Sequence, residues 1–590
     1  MWGAKRRMNH TEGDDAPVPH PLVRVGRRRV AGAVLVATFL LGFPTACMTP
    51  DEYRDEADEA AYGIVGRARV LAGQKEDPDF HIDPADNELR KEFFPERTAP
   101  EGTPLWKRLA SDDHRVTVNL ETALQLAALN SREFQDQKER LYNTALSLTS
   151  AVRNFESRWF GTVDLSARSS GDGDDSSTVS LAESSSLGFT RLLERGGSFS
   201  LSIGDNLTRF LTNPASTTAT TFASLALSLP FLRGAGREVA YENVTQAERD
   251  VVYAVRDFER FKRVFSVDVI SDYMRLLQSA QTIDNEKANY ERRKVTAEEN
   301  RLLGEAGRLA RTDVERANQA ELAAENRWIV AKENFENALD RFKLRLGLPT
   351  DAILLIDQED LKRIRERGAQ LIELDARDAL VKALKWRLDL ATAEGRVADA
   401  KRQIAITANA LEAGLDFNAT LDLTSNDFGE TRFKLDAVGS TNDFLGLSID
   451  LPLDRVDERN AYRRALINFQ AARRDFEAFE DQVKLEVRRD LRNLRQASET
   501  FRIQKRAEEV AQTNVEAANL LKAAGIGNTN DLLDAQNDLV TAQNAVTQAL
   551  IDYTIARLQL LRDMGVLIVE PEGIDETSTE ALLKQEEKSK

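Results

Sequence analysis

The sequence predicts a mainly α-helical fold that also carries amphipathic β-strands, built as a duplicated helix–strand–strand–helix unit. Three observations predict it. First, the chain repeats itself: Gly307, Asp313, Ala317, Asn326 and Gly347 recur 218 residues later as Gly525, Asp531, Ala535, Asn544 and Gly565. Second, each copy holds a period-two run ending in proline. These are Leu225, Leu227, Leu229, Pro230 and Leu447, Ile449, Leu451, Pro452, the pattern of a strand with one apolar face. Third, long stretches rich in Ala, Leu, Glu, Arg and Gln run without a breaker, as long helices do.

The repeat orders the elements. Ala123-Leu124 recurs as Ala379-Leu380 at an offset of 256, so the first copy carries 38 more residues between its helical blocks than the second. Each copy opens with a helix, predicted over Leu120–Ser157 and Ala376–Leu411. Strand candidates follow at Phe160–Ala167, Ser198–Ile203 and the Leu225 run in copy one, and at Leu415–Leu423 and the Leu447 run in copy two. Ser169–Thr178 and Asn213–Thr221, rich in Gly, Ser, Asp and Thr, read as loops. A very long helix then begins near Arg237 and again near Glu458, ending near Leu303 and Leu521; at ~1.5 Å per residue each is roughly 100 Å long. A turn with Gly304 and Gly307, or Gly525 and Gly527, leads to a returning helix over Asp313–Leu346 or Asp531–Arg562. The second returning helix carries a seam of Leu532, Ala535, Leu539, Ala542, Val546, Ala549, Tyr553, Ala556 and Leu560, with the alternating spacing of a coiled coil. Ala317, Ala324, Ala331 and Ala338 repeat its alanines in copy one, and small residues there let helix axes approach closely.

Composition excludes several function classes. The 590 residues carry a net charge of −17, against the basic surface that nucleic acid requires. The histidines are His10, His20, His81 and His114, and Cys47 is the single cysteine. The body after residue 114 therefore has no residues for a His/Cys zinc site or for a Ser-His-Asp or Cys-His arrangement. No catalytic group, metal or cofactor is expected, and the protein is not expected to be an enzyme.

Residues 1–47 read as an export signal. Arg24 and Arg27–Arg29 precede a mostly apolar run, Val30–Phe43, and then Pro44, Thr45, Ala46 and Cys47. Two readings of Cys47 stand: the acylated cysteine of a bacterial lipoprotein, favoured by Thr45 and Ala46, or an incidental residue after an ordinary signal, favoured by Pro44. No later segment has the ~18 apolar residues of a membrane helix. A membrane-spanning form must therefore use strands closed into a barrel. About four strands per chain cannot close one, since single-chain barrels start at about eight. Several chains must contribute: two would give eight strands and three would give twelve. The extra candidates in copy one are expected to form a hairpin outside the membrane.

The stretch Ala524–Asn537 with the alanine seam up to Gly565, and the junction Leu229-Pro230-Phe231-Leu232-Arg233-Gly234, resemble the TolC-like outer membrane efflux family, over roughly residues 118–566. The resemblance implies a homotrimer in the outer membrane of a Gram-negative-type bacterium, with a twelve-stranded β-barrel in the lipid and a long α-helical barrel across the periplasm. It implies an exit duct for efflux or secretion, working with an inner-membrane transporter and a periplasmic adaptor. Residues 48–117 would be an N-terminal extension, as an extended arm or short helices outside the barrel. Residues 118–350 and 374–566 would be the two repeats, and 351–373 an equatorial segment with a short helix near Leu361–Gly368. Residues 567–590 would be a polar tail. At the periplasmic entrance the resemblance places Asp531 and Asp534, whose carboxylates would form rings favouring cations. Both also fit the simpler part of helix N-terminal acids stabilised by the macrodipole. Thr312 and Asp313 match the first-copy side of the entrance latch, whose partner positions are Lys522 and Gly527. A Lys522–Asp313 pair would replace one latch contact, and the other is lost. The alternative function, a periplasmic coiled-coil scaffold or adaptor lipoprotein, accounts for the helices but leaves the paired strand blocks without a purpose.

Overall fold

A computed structural model describes residues 48–75, 77, 80–82, 115–172, 176–211, 217–369, 374–428, 440–570, 573–574 and 579. Residues 1–47, expected to form the export signal with Cys47, all of residues 83–114, and most of the tail lie outside the described residues.

The first element is α1, Pro50–Leu71. A Thr49/Glu52 capping box starts it: the Glu52 N–H donates to Thr49 Oγ1, and the Thr49 N–H donates to the Glu52 carboxylate at 2.7 Å. Of the two forms expected for the extension, an extended arm or short helices, this part takes the helical one, as a single helix of six turns. It buries Ala61, Ile64, Val65 and Ala68 in the main core and ties itself there through Arg69–Glu259 at 2.8 Å.

Copy one continues with β1 (Arg115–Val118), α2 (Leu120–Asn130) and α3 (Arg132–Arg153). Then come β2 (Arg158–Asp172), β3 (Ser176–Leu192), β4 (Ser198–Phe210) and β5 (Thr217–Pro230). A four-residue turn of helix, α4 (Arg237–Ala240), precedes the long α5 (Glu242–Glu305) and the returning α6 (Arg311–Arg345). The link between copies holds β6 (Ile353–Ile356), parallel to β1, and α7 (Glu359–Arg367). Copy two has α8 (Ala376–Trp386), α9 (Leu388–Asn409), β7 (Gly414–Phe428), β8 (Ser440–Asp450), α10 (Val456–Ala523) and α11 (Thr529–Asp563). Two short strands, β9 (Val569–Glu570) and β10 (Gly573–Ile574), pair antiparallel in the tail.

The expected opening helices are each broken once, at Ser131 and at Arg387. The cause is tertiary. The turn after α6 passes so close to the first break that a Cβ on Gly347 would lie 2.1 Å from the Asn130 carbonyl oxygen, and one on Gly565 would lie 2.7 Å from Trp386. Gly347 and Gly565 sit at φ 73° and 74°, and Gly307 and Gly525 at 72° and 76°, the left-handed region that suits glycine. All four close the same helix-ending pair of bonds; after α5, for example, Arg308 N–H donates to Leu303 O and Gly307 N–H to Gly304 O.

The strand count differs from expectation. Six strands, not about four, form one antiparallel meander in the order β2-β3-β4-β5-β7-β8. β7 begins 256 residues after β2, as the repeat requires, so β3 and β4 are the unmatched hairpin that holds the extra residues of copy one. That hairpin is not outside the sheet. β3 pairs with β2 along its whole length, and β4 pairs with β5. Most of Ser169–Thr178 and the end of Asn213–Thr221, read as loops, extend strands instead. The count of about four strands per chain is thus replaced by six, and three chains would bring eighteen to a shared sheet where four each would bring twelve.

Helices pack as a wall. In the lower half the order is α6, α5, α11, α10, and nearer the sheet it is α3, α5, α9, α10. The core centres where α1, α2, α3 and α5 meet, with Tyr273, Ile270, Leu276, Leu277 and Phe342 buried. Tyr273 donates to the Asp360 carboxylate at 2.6 Å, and Leu120 N–H donates to the same carboxylate at 3.0 Å, which fixes α7 and the β1–β6 pair across α5.

Candidate functional site

The sheet has two chemically distinct faces. Register places Trp159, Val163 and Leu165 of β2 on the same side as Leu187 and Phe189 of β3, and as Phe199, Leu201 and Ile203 of β4. Leu225, Leu227 and Leu229 of β5, Phe417 and Leu421 of β7, and Leu445, Leu447 and Ile449 of β8 continue that side. Trp159, Leu165, Leu445 and Ile449 are 63–75% exposed, an apolar surface with nothing over it in one chain. The other side is mostly polar and small, with Ser166, Ser184, Ser186, Ser200, Ser202, Ser224, Ser228, Asn418 and Ser448, and is interrupted by the rings of Phe160, Phe222 and Phe444. Hydrogen bonds such as Thr162–Ser186 at 2.7 Å and Ser228–Asn418 at 2.9 Å knit it across strands. One mainly apolar and one mainly polar face, joined by alternation that fails locally at Glu183, Ser185 and Asp205, is the arrangement of a strand between lipid and water. Both edge strands, β2 and β8, are paired on one side only among the described residues.

The helical wall also ends in unpartnered apolar edges. On α10, Ile467, Leu485, Ile503 and Leu521 recur every 18 residues, five turns of helix, and each is about half exposed. At the opposite edge, Leu322 and Ile329 of α6 are exposed one heptad apart. The inner seam is closed: Leu532, Leu539, Ala549, Tyr553 and Leu560 are buried, as are Ala317, Ala324 and Ala331.

The helix tips carry the residues expected at the entrance. Asp531 and Asp534 are exposed on the first turns of α11; Asp313 stands in the first turn of α6 with Thr312 beside it. Asp531 and Asp313 both lie in first turns, so the favourable helix dipole acts on each whatever else they do. Lys522 is not joined to Asp313. Its Nζ donates to Glu299 at 3.1 Å, and Asp313 lies 3.9 Å from Arg316.

Sequence reasoning missed a polar layer between α5 and α11 just behind these acids. Glu286, Asn289, Arg293 and Asn300 of α5 are all buried. Arg293 donates to the Leu533 carbonyl at 2.7 Å, and Asn285 donates to Asn544 at 2.8 Å. Burial pushes the Arg293 guanidinium down and Arg327 adds to this, while Asp534 pulls it back up, so Asp534 faces a fixed cation of its own chain. The signal was available: 218 residues on, Asn289, Arg293 and Asn300 become Ala507, Ala511 and Ala518.

A second ionic group sits at the level of the collar. Asp490 of α10 is buried beside Asp563 of α11; burial and that neighbouring carboxylate push Asp490 up to about 6. Asp563 goes the other way despite its burial, held down by Arg562 at 2.7 Å and by Arg260 at 3.0 Å.

Comparison with known proteins gives the family context. Residues 379–566 match the family described as "Outer membrane efflux protein". The outer membrane protein TolC of Escherichia coli (strain K12) is 23% identical over 263 residues, which are 44% of this chain and 53% of TolC. The match thus spans about half the length of that relative. Among solved structures, VceC of Vibrio cholerae superposes with a TM-score of 0.56 at 14% identity, covering 76% of this chain and 96% of VceC. The Campylobacter jejuni outer membrane channel CmeC gives 0.55 at 14% identity, covering 87% of this chain and 98% of CmeC. At these identities the structures establish a shared fold.

Proposed function

We propose that this chain, a member of the outer membrane efflux protein family over residues 379–566, is the exit duct of an efflux or secretion system. In this reading residues 1–47 direct export, the sheet lies in the outer membrane, and the helices cross the periplasm. Three copies close the duct head to tail, each presenting its α10 edge to the α6 edge of the next. A periplasmic adaptor and an inner-membrane transporter meet the helix tips. Acylation at Cys47 would add a second hold on the membrane.

The observation that carries the reading is the sheet: an alternating apolar face continuous over six strands, with two unpaired edges, mounted on a helical wall whose own edges expose apolar stripes. In lipid an unpaired strand edge costs several kcal/mol per backbone group, so the edges must be completed by other chains. A periplasmic scaffold would have no use for that apolar face.

Asp531 and Asp534 then form two carboxylate rings at the entrance, the second moderated by Arg293 from within each protomer. Planar-bilayer conductance of detergent-purified protein, with its mass measured in parallel, tests the proposal. A conducting trimer is expected, with weaker cation preference after Asp531→Ala and a smaller change after Asp534→Ala. Unchanged currents through an open trimer would remove both acids from the selectivity argument.

A further inference from the structure

We infer that the outer-membrane section of this duct is an eighteen-stranded barrel, closed by pairing β8 of each copy with β2 of the next, and therefore much wider than a barrel of four strands per chain. The inference rests on the trimeric duct proposed above and adds the strand count, the seam and the bore.

The added hairpin, β3 and β4, belongs to the same lipid-facing band as the other strands. The band runs obliquely across the sheet. It centres near Val163 in β2, near Leu187 in β3, near Leu201 and Ile203 in β4, and near Leu447 in β8. Following the register back from Leu447 through Phe417 and Leu229 leads below the foot of β2. The band therefore descends by about eight residues over the five strand-to-strand steps. With ~3.4 Å per residue and ~4.8 Å between strands, such a band lies level in a membrane when the strands tilt by roughly 45°. That is close to the ~35–45° of closed membrane barrels. β3 and β4 fall on the same line, so one membrane plane fits all six strands.

The hairpin is also anchored at the helical rim. Its base bonds to both flanking junctions: the N–H of Leu192, the last residue of β3, donates to the Asn154 carbonyl, and Gly236 N–H donates to the carbonyl of Arg195, in the turn, at 3.0 Å. Gly197 passes so close to β5 that a Cβ would lie 2.0 Å from the Ser228 carbonyl oxygen. The turn is part of the strand-to-helix junction and not an excursion from it.

Width gives a third, independent argument. Six strands tilted by ~40° span an arc of roughly 38 Å. Four helices side by side at ~10 Å span about 40 Å. Sheet and helical wall of one chain therefore match in width, and three copies stand on a common circle without funnelling inward. Four strands would span only about 25 Å at the same tilt. The seam is compatible too: β2 runs away from the helices and β8 runs back to them, so β8 and the next copy's β2 meet antiparallel. The lumen is kept clear. A Cβ on Gly188 would meet the Phe160 ring at 2.7 Å and one on Gly204 the Phe222 ring at 2.7 Å, so these inward phenylalanines lie flat over glycines. The backbone radius is about 18 Å for eighteen strands and about 12 Å for twelve. Less ~6 Å of side chain, the bore radius is about 12 Å against about 6 Å.

Two measurements test this on the full-length protein in its membrane. Cysteine placed at Thr162 in β2 is combined with a scan of Leu445, Gly446 and Leu447 in β8, and with the same β8 scan against Ile203 in β4 as the rival seam. Ladders up to the trimer from the β2–β8 pairs alone are expected. Trimer ladders from β4–β8 pairs would mean that β2 and β3 leave the membrane, which overturns the eighteen-strand barrel and leaves the duct standing. A particle of two chains would overturn it as well. The absence of any oligomer would instead overturn the duct. For the unmodified protein, polyethylene glycol of about 9 Å hydrodynamic radius added on the sheet side should enter and lower the conductance; exclusion at that size contradicts the wide bore.

Discussion

The two halves of this molecule share their helices and differ in their strands. In both, the opening helix breaks where a glycine-bearing turn passes it, at Asn130 against Gly347 and at Trp386 against Gly565. In both, the long helix ends on a left-handed glycine and returns along an alanine seam. The first half alone inserts a full hairpin into the sheet. Helices at fixed packing distances tolerate few changes, because every neighbour reads their spacing. A meandering sheet takes in a hairpin by exchanging one pair, the direct one that β7 and β8 keep in copy two, for three, β2–β3, β3–β4 and β4–β5, and the sheet widens by two strands. The difference teaches that the width of the sheet in this fold varies with inserted strands while the helical frame that carries it stays constant.

The comparison breaks most readily at its shared glycines. Gly347→Ala should destabilise the protein by several kcal/mol, because a left-handed alanine costs about 1–2 kcal/mol and the new methyl also meets the Asn130 carbonyl. Gly307→Ala has the same backbone but open space around it, so it should cost only about 1–2 kcal/mol. Thermal melts of the two variants separate the cases; equal losses would mean that the close approach at the break is unimportant.

A smaller and opposite effect sharpens the contrast at the collar. In copy one Asp272 accepts from Arg345 at 3.1 Å. The counterparts 218 residues on are Asp490 and Asp563, so an acid replaces the arginine. The raised Asp490 holds its proton more tightly folded than unfolded. Its stabilising contribution is complete below about pH 4 and disappears as pH rises through about 6. Asp490→Asn should therefore leave the melting temperature unchanged near pH 4 and raise it above pH 6, by about 1–3 kcal/mol of stability. A pH-independent shift would contradict this. Asp272→Asn should lose at most about 1 kcal/mol, since its ion pair is partly exposed. The loss should be greatest at low salt, read from the same melts.

Much of this architecture was legible in the chain, for identifiable reasons. Helix periodicity, the alanine seam and the glycine turns follow from spacing, which survives translation into structure. β3 was not legible, because at Glu183 and Ser185 its apolar face gives way to polar residues and its other face, Ser180, Ala182, Ser184, Ser186 and Gly188, is small, so the stretch resembles a loop. The helix at Pro50–Leu71 carried a readable Thr-Pro-x-Glu start, yet the acidic, Pro-containing stretch left an extended arm and short helices as equal readings. At the helix tips, the places of Asp531 and Asp313 in the first turns after the glycine turns were legible from the repeat. The pairing of Lys522 with Glu299 was not, since it depends on which turns of two helices face each other. The buried Arg293 layer shows only when the copies are compared position by position.

The central claim is that separate chains complete one another's strand edges in lipid. The most direct test is the mass of the mature protein after extraction from membranes in detergent. The account predicts a particle of three chains that cannot be recovered from the aqueous fraction without detergent. A monomer that is stable in water and has no affinity for bilayers would contradict it.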